Sequence, residues 1–185
     1  MNFAKVLARV VTDLDAQNIR YALIGGMAMA MRGLQRTTLD LDFILLLHDL
    51  KITDEILRSH GYHREFHSEN VSHYLASDPA LGRIDLLHAF RSPTLSMLER
   101  AERLPWPEGV AVPVVHFEDL IGLKIQALVN DPSRQNRDEA DILQILRHAG
   151  ECAIAIDWEL ITDYLTLFDL GHQLEDLIQA YGKTH

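Results

Sequence analysis

Two aspartates interrupt an otherwise apolar stretch, Leu39-Asp-Leu-Asp-Phe-Ile-Leu-Leu-Leu47, and they limit what this chain can fold into. The run is short, β-branched and aromatic in places, and reads as a strand. In a strand, residues i and i+2 share a face, so Asp40 and Asp42 lie side by side. Two bare carboxylates that close repel each other, and in apolar surroundings they need a cation. A divalent ion meets that need, and an all-oxygen donor set favours Mg²⁺ or Mn²⁺. The plainer alternative makes Asp40 a turn cap and Asp42 a partner of Arg36. A third acid sits in a similar apolar setting, Asp85 within Arg83-Ile-Asp-Leu-Leu87. If its strand neighbours the first, three carboxylates converge on one part of a sheet.

The rest of the first half alternates helix and strand signals. Phe3, Val6, Leu7, Val10, Val11 and Leu14 form the stripe of an amphipathic helix. Tyr21–Ile24 reads as a buried strand that stops at Gly25-Gly26, followed by a Met/Ala-rich helix that Gly33 ends. A helix is expected over 52–60, strands over 62–67, 71–76 and 83–88, and a helix over 94–103. Pro105-Trp-Pro107 reads as a break, and 110–115 as a strand whose Pro113 places it at an edge or near its end. From Phe117 onward the patterns are helical: 117–130, 135–148, 157–167 and 172–181. The expected fold class is α/β, a small mixed β-sheet flanked by helices over 1–116, with a C-terminal helical part over 117–185. The two parts are expected to pack as one compact unit.

Composition narrows the function classes. The 185 residues carry 17 Lys+Arg against 27 Asp+Glu, a formal charge of −10. That speaks against a long nucleic-acid track, which needs net positive charge. The surplus is uneven: Glu151–His185 holds seven acidic residues and one basic, which suits a polycationic partner better than an RNA. The longest apolar run, Tyr21–Met31, has 11 residues, where a membrane span takes about 20. No membrane association and a cytoplasmic location are expected. Cys152, the single cysteine, reads as a small apolar residue. His60, His63 and His67 straddle Gly61 and read as surface or core histidines. Met27, Met29, Met31, Trp106 and Trp158 read as packing residues.

Taken together, Leu23-Ile-Gly-Gly26, Arg36-Thr-Thr-Leu-Asp-Leu-Asp42 and Ile84-Asp-Leu86 resemble the nucleotidyltransferase superfamily of the polymerase-β type. The Arg-x-Thr-x-Asp-x-Asp form is similar to the AbiEii-like toxin group and its small bacterial relatives. Asp119-Leu-Ile-Gly-Leu-Lys124 and Arg137-Asp-Glu-Ala-Asp141, with Arg134, resemble that group's downstream motif, so the likeness runs from about Tyr21 to Leu146. Gly-Gly stands where many members have Gly-Ser, which removes one hydroxyl contact to phosphate.

The resemblance implies a nucleotidyltransferase fold and transfer of an NMP from an NTP to a hydroxyl, releasing pyrophosphate. It implies Mg²⁺ (or Mn²⁺) held by Asp40, Asp42 and Asp85, with Asp85 also able to accept the hydroxyl proton. Gly25, Gly26, Arg36, Thr38, Lys124 and Asp138 are the implied nucleotide-binding residues, Asp138 by orienting Lys124 or by touching the nucleotide. The implied acceptor is a tRNA end or a protein side chain, in a toxin that would be paired with an antitoxin. A small-molecule (aminoglycoside-type) acceptor and a non-catalytic nucleotide-binding protein are the alternatives.

Overall fold

A seven-stranded sheet in the order β3-β4-β5-β2-β1-β7-β6 organises the first half of the chain. It is seen in a computed structural model that describes residues 3–182 other than 39, 132 and 134. Leu39 and Arg134, both part of the sequence expectations, lie outside the described residues. The chain divides into two units, Met1–His116 and Phe117–His185.

In the first unit, α1 (Phe3–Ala16) leads to β1 (Tyr21–Ile24), α2 (Gly25–Met31), β2 (Asp40–Leu46) and α3 (Leu50–Ser59). Then come β3 (Tyr62–His67), β4 (Val71–Ala76), β5 (Arg83–Ala89), α4 (Ser92–Arg100), β6 (Glu102–Trp106) and β7 (Val110–Val114). β2 pairs antiparallel with β1 and parallel with β5, while β4 runs antiparallel to both β3 and β5. The two sheet faces differ sharply. Leu41, Phe43, Leu45, Ile84, Leu86 and Tyr74 are almost fully buried on one face. That face packs on α1 and α3, where the Tyr21 hydroxyl donates to Asp15 at 3.0 Å and the Tyr74 hydroxyl to Asp54 at 3.1 Å. Asp40, Asp42, Arg83, Asp85 and His73 alternate with these residues and therefore point to the opposite face, where each is half-buried.

Two sequence expectations need correction here. The helix expected over 94–103 ends at Arg100, and Glu102–Trp106 is a strand, not a break. Pro105 is accommodated because β6 lies at the sheet edge, where a missing N–H costs no central ladder bond. Pro113 lies near the end of β7, but β7 is an inner strand between β1 and β6.

The second unit comprises α5 (Phe117–Asn130), α6 (Gln135–Glu151), α7 (Trp158–Leu167) and α8 (Leu174–Gly182). α5 and α7 approach closely at Gly122, where an added Cβ would lie 2.6 Å from the Tyr164 ring. The Tyr164 hydroxyl donates to the buried Asp119 carboxylate at 2.7 Å. Cys152, read from sequence as an apolar filler, is exposed, with its sulfur 3.9 Å from the His148 ring nitrogens. No helix among the described residues is long and apolar enough to cross a membrane.

Candidate active site

The parallel β2–β5 pairing sets Asp42 opposite Asp85 and Asp40 opposite Arg83. Directly opposed residues share a sheet face, so the three acids project from the half-open face in two neighbouring rows. The end of β1 brings the glycines to them. Gly25 takes φ +67°, and a Cβ there would lie 2.7 Å from Asp42 Cγ. At Gly26 an added Cβ would lie 2.9 Å from Thr38 Cβ and 3.6 Å from Arg36 Cγ. Each glycine thus has a steric reason: only a residue without Cβ lets the β1–α2 junction press against the segment carrying the acids. Thr38 shapes that segment, its hydroxyl donating to the Asp40 carbonyl at 3.0 Å and accepting from the Asp40 amide at 3.4 Å.

Asp85 is held by two basic side chains. Its Oδ1 accepts from Arg83 Nε at 2.7 Å and lies 2.8 Å from His73 Nδ1. Partial burial works against the Arg83 charge, but the hydrogen bond and charge of Asp85, with Asp40 and Glu65, outweigh it and hold the guanidinium above its ordinary pKa. Among the described residues, no three His, Cys, Asp or Glu side chains are gathered as a metal-holding group. The donor set still suits Mg²⁺, which binds through one or two carboxylates and completes its shell with water and substrate phosphates. Asp40 and Asp42, two residues apart on one face, offer that pair. Asp85, expected as a third ligand, has one oxygen committed to Arg83 and His73.

In the second unit, Lys124 is held between two acids. Its Nζ lies 2.7 Å from Asp138 Oδ1 and 2.7 Å from Asp141 Oδ2, and the three side chains are 12%, 0% and 4% exposed. Asp138 and Asp141 stand three apart on α6, one turn of the same face. Sequence reasoning picked Asp138 and passed over Asp141, although the i, i+3 spacing was the available signal. His73 carried no sequence signal, because only the β4–β5 register brings it to Asp85. Arg83 was visible only as a same-face neighbour, two residues before Asp85.

A family model described as nucleotidyl transferase AbiEii toxin, type IV TA system, matches residues 82–177, just over half of the chain. The chain belongs to the AbiEii nucleotidyl transferase toxin family. It is a nucleotidyltransferase, and the AbiEii match spans Asp85, Lys124 and Asp138.

Solved structures share the fold. ANT(2″)-Ia in complex with adenylyl-2″-tobramycin superposes with a TM-score of 0.57 at 14% identity, over 99% of this chain and 98% of that one. MenT4, a nucleotidyltransferase toxin from Mycobacterium tuberculosis H37Rv, gives 0.51 at 18% identity, over 95% of this chain and 68% of that one. The lincosamide antibiotic adenylyltransferase LnuA, lincomycin-bound, gives 0.50 at 14% identity, over 63% and 82%. No curated protein matches the chain in sequence.

Proposed function

We propose that this AbiEii-family protein transfers a nucleoside monophosphate from an NTP to a hydroxyl group of a tRNA end or a protein side chain. The observation that carries the reading is the Asp42–Asp85 register on the half-open sheet face, with Gly25 pressed against Asp42. Asp40 and Asp42 would hold Mg²⁺ or Mn²⁺, which when bound neutralises phosphate charge and polarises the α-phosphorus. Asp85 accepts the proton of the attacking hydroxyl while its oxygen bonds to the α-phosphorus and pyrophosphate leaves. Both protein contacts fall on Oδ1 of Asp85. They fix the carboxylate's orientation, and Oδ2 is the oxygen that takes the proton. Arg36, Thr38 and the two glycines shape the nucleotide side of the site. Lys124 is the ammonium for the triphosphate, with Asp138 and Asp141 as its positioning residues. Transfers of this kind ask for positioning and charge stabilisation more than covalent chemistry.

As a toxin, the protein would arrest growth on induction, and an antitoxin partner would relieve the arrest. A small-molecule acceptor is the second reading, favoured by the likeness along nearly the whole of ANT(2″)-Ia and by the acidic 151–185 segment. The test incubates the protein with each α-labelled NTP and Mg²⁺ or Mn²⁺, with tRNA, protein extract and aminoglycosides in separate reactions. Label in tRNA or protein supports the first reading, and label in the aminoglycoside replaces it with the second. No label anywhere, with no NTP-dependent shift in melting temperature, refutes nucleotidyl transfer.

A further inference from the structure

On the sheet face opposite the acids, three side chains form a polar chain that the proposed transfer leaves unused. His88 ends the Ile84, Leu86, His88 alternation of β5 and is 2% exposed. Ser72 on β4 is fully buried, and its Oγ lies 3.0 Å from His88 Nε2 and 2.9 Å from His67 Nδ1. His67 closes the β3–β4 ladder opposite Ser72 and is exposed. The two imidazole centroids are 5.6 Å apart.

His88 also holds the turn between β3 and β4. Val71, the first residue of β4, stands opposite Leu87, so His88 lies beside the turn. Its Nδ1 donates to the Glu69 carbonyl at 2.8 Å, and its backbone amide donates to the Asn70 carbonyl at 2.8 Å. One residue therefore fastens two consecutive turn carbonyls and the buried hydroxyl of Ser72.

The fixed end of the chain sets its proton count. A carbonyl only accepts, so His88 Nδ1 carries a hydrogen, and in the neutral ring Nε2 accepts from the Ser72 hydroxyl. Ser72 Oγ then accepts from His67 Nδ1–H, and His67 Nε2 can take up a proton with every bond intact. A proton on His88 Nε2 has no such place. It sets two N–H donors against one oxygen and turns the Ser72 hydrogen away from both rings. With His67 protonated as well, two cations stand 5.6 Å apart.

Burial opposes a charge on His88 most, and Arg64 on β3 opposes it further. In the neighbouring elements, Asp54 on α3 is engaged by Arg58 at 2.9 Å and by Arg64 at 3.7 Å. Asp49, after β2, pairs with His48 at 3.0 Å, and Glu69, itself exposed, reaches the ring through its carbonyl. The residue after Ser72 is His73, which points to the acid face and lies 2.8 Å from Asp85 Oδ1. β4 thus links the two faces, and what loosens Ser72 loosens the support of Asp85.

We infer that the His67–Ser72–His88 chain is an acid-sensitive latch, closed with at most one imidazole protonated and opened by the second proton, which releases the β3–β4 turn and the strand that presents His73 to Asp85. The latch stands on its own geometry, and only its effect on Asp85 rests on the nucleotidyl-transfer reading.

The test follows amide hydrogen exchange of the full chain by NMR at about pH 7.5 and about pH 5, as protection relative to intrinsic exchange. The His88 amide and the Ser68 amide, which donates to the Val71 carbonyl at 2.8 Å, report the turn. The Val115 amide, which donates to the Leu23 carbonyl at 3.2 Å, is the reference. Opening that needs a proton on a ring of ordinary pKa, about 6.5, lowers turn protection by at most tenfold per pH unit below it. Wild-type protein should therefore lose about fivefold to thirtyfold at the lower pH relative to Val115. His67→Gln, at an exposed position, removes one of the two charges and should shrink that loss at least about twofold. His88→Gln removes the titrating ring and should abolish the loss, whatever its protection at the higher pH. Equal losses in the turn and at Val115 in wild-type protein, or an undiminished loss in either variant, overturn the latch. In the labelled-NTP assay, transfer should fall less between the two pH values in His88→Gln than in wild-type protein, and an equal fall overturns the link to Asp85. Absence of transfer with the exchange pattern intact refutes the nucleotidyl-transfer reading and leaves the latch standing.

Discussion

Replacing Lys124 by Met removes the ammonium that lies between two buried carboxylates in the second unit. At 2.7 Å each contact has a gross Coulomb energy of about 6 kcal/mol with an effective dielectric of 20, most of it offset by desolvation. Breaking such a buried pair typically costs about 3–5 kcal/mol. Urea unfolding of Lys124→Met in a Trp106→Phe background, read by Trp158 fluorescence, reports the second unit alone. Adding Asp138→Asn should recover part of the loss at pH 7. A deficit under about 1 kcal/mol at pH 7 would refute the buried-triad account.

Gly25→Ala forces a side chain into the left-handed region, at about 1–2 kcal/mol, and drives it into Asp42; transfer should fall about a hundredfold or more with a modest change in Tm, and unchanged turnover would contradict the close approach. His88 is pulled below its ordinary pKa of 6.5 chiefly by burial, against the carbonyl of Glu69 that its Nδ1 donates to at 2.8 Å. Its contribution to stability is therefore complete above about pH 6.5 and is lost as pH falls below it, by at most about 1.4 kcal/mol per unit. His88→Gln should flatten the Tm–pH curve between pH 7 and 5, and an unaltered slope would assign that dependence elsewhere. Gly122→Ala presses on the Tyr164 ring and should cost about 1–3 kcal/mol. The same change should cost less in a Tyr164→Ala background, and equal costs in both would mean the two residues do not meet.

Most elements were legible because their patterns are local. The α1 stripe, the β1 run ending at Gly25-Gly26, and the apolar alternation of β2 and β5 each state their own structure. β6 was hidden because Pro105 and Pro107 mark breaks in isolation, and only the edge position, a property of the whole sheet, makes Pro105 harmless. The acids announced themselves as polar residues in apolar strands, but their neighbours did not. Arg83 and His73 reach the acid row through strand register, which no single segment encodes. Asp141 carries no signal beyond its i, i+3 spacing from Asp138, and only burial on α6 gives it a share of the Lys124 ammonium.

The proposed function places the transfer on the acids Asp40, Asp42 and Asp85 of neighbouring strands β2 and β5. The decisive measurement is single-turnover transfer of label from an α-labelled NTP to the acceptor that becomes labelled among tRNA, protein extract and aminoglycosides, in wild-type protein, Asp42→Asn and Asp85→Asn. Each variant should lose about a hundredfold or more in rate. Labelled product formed at a rate close to wild type by either variant would contradict it.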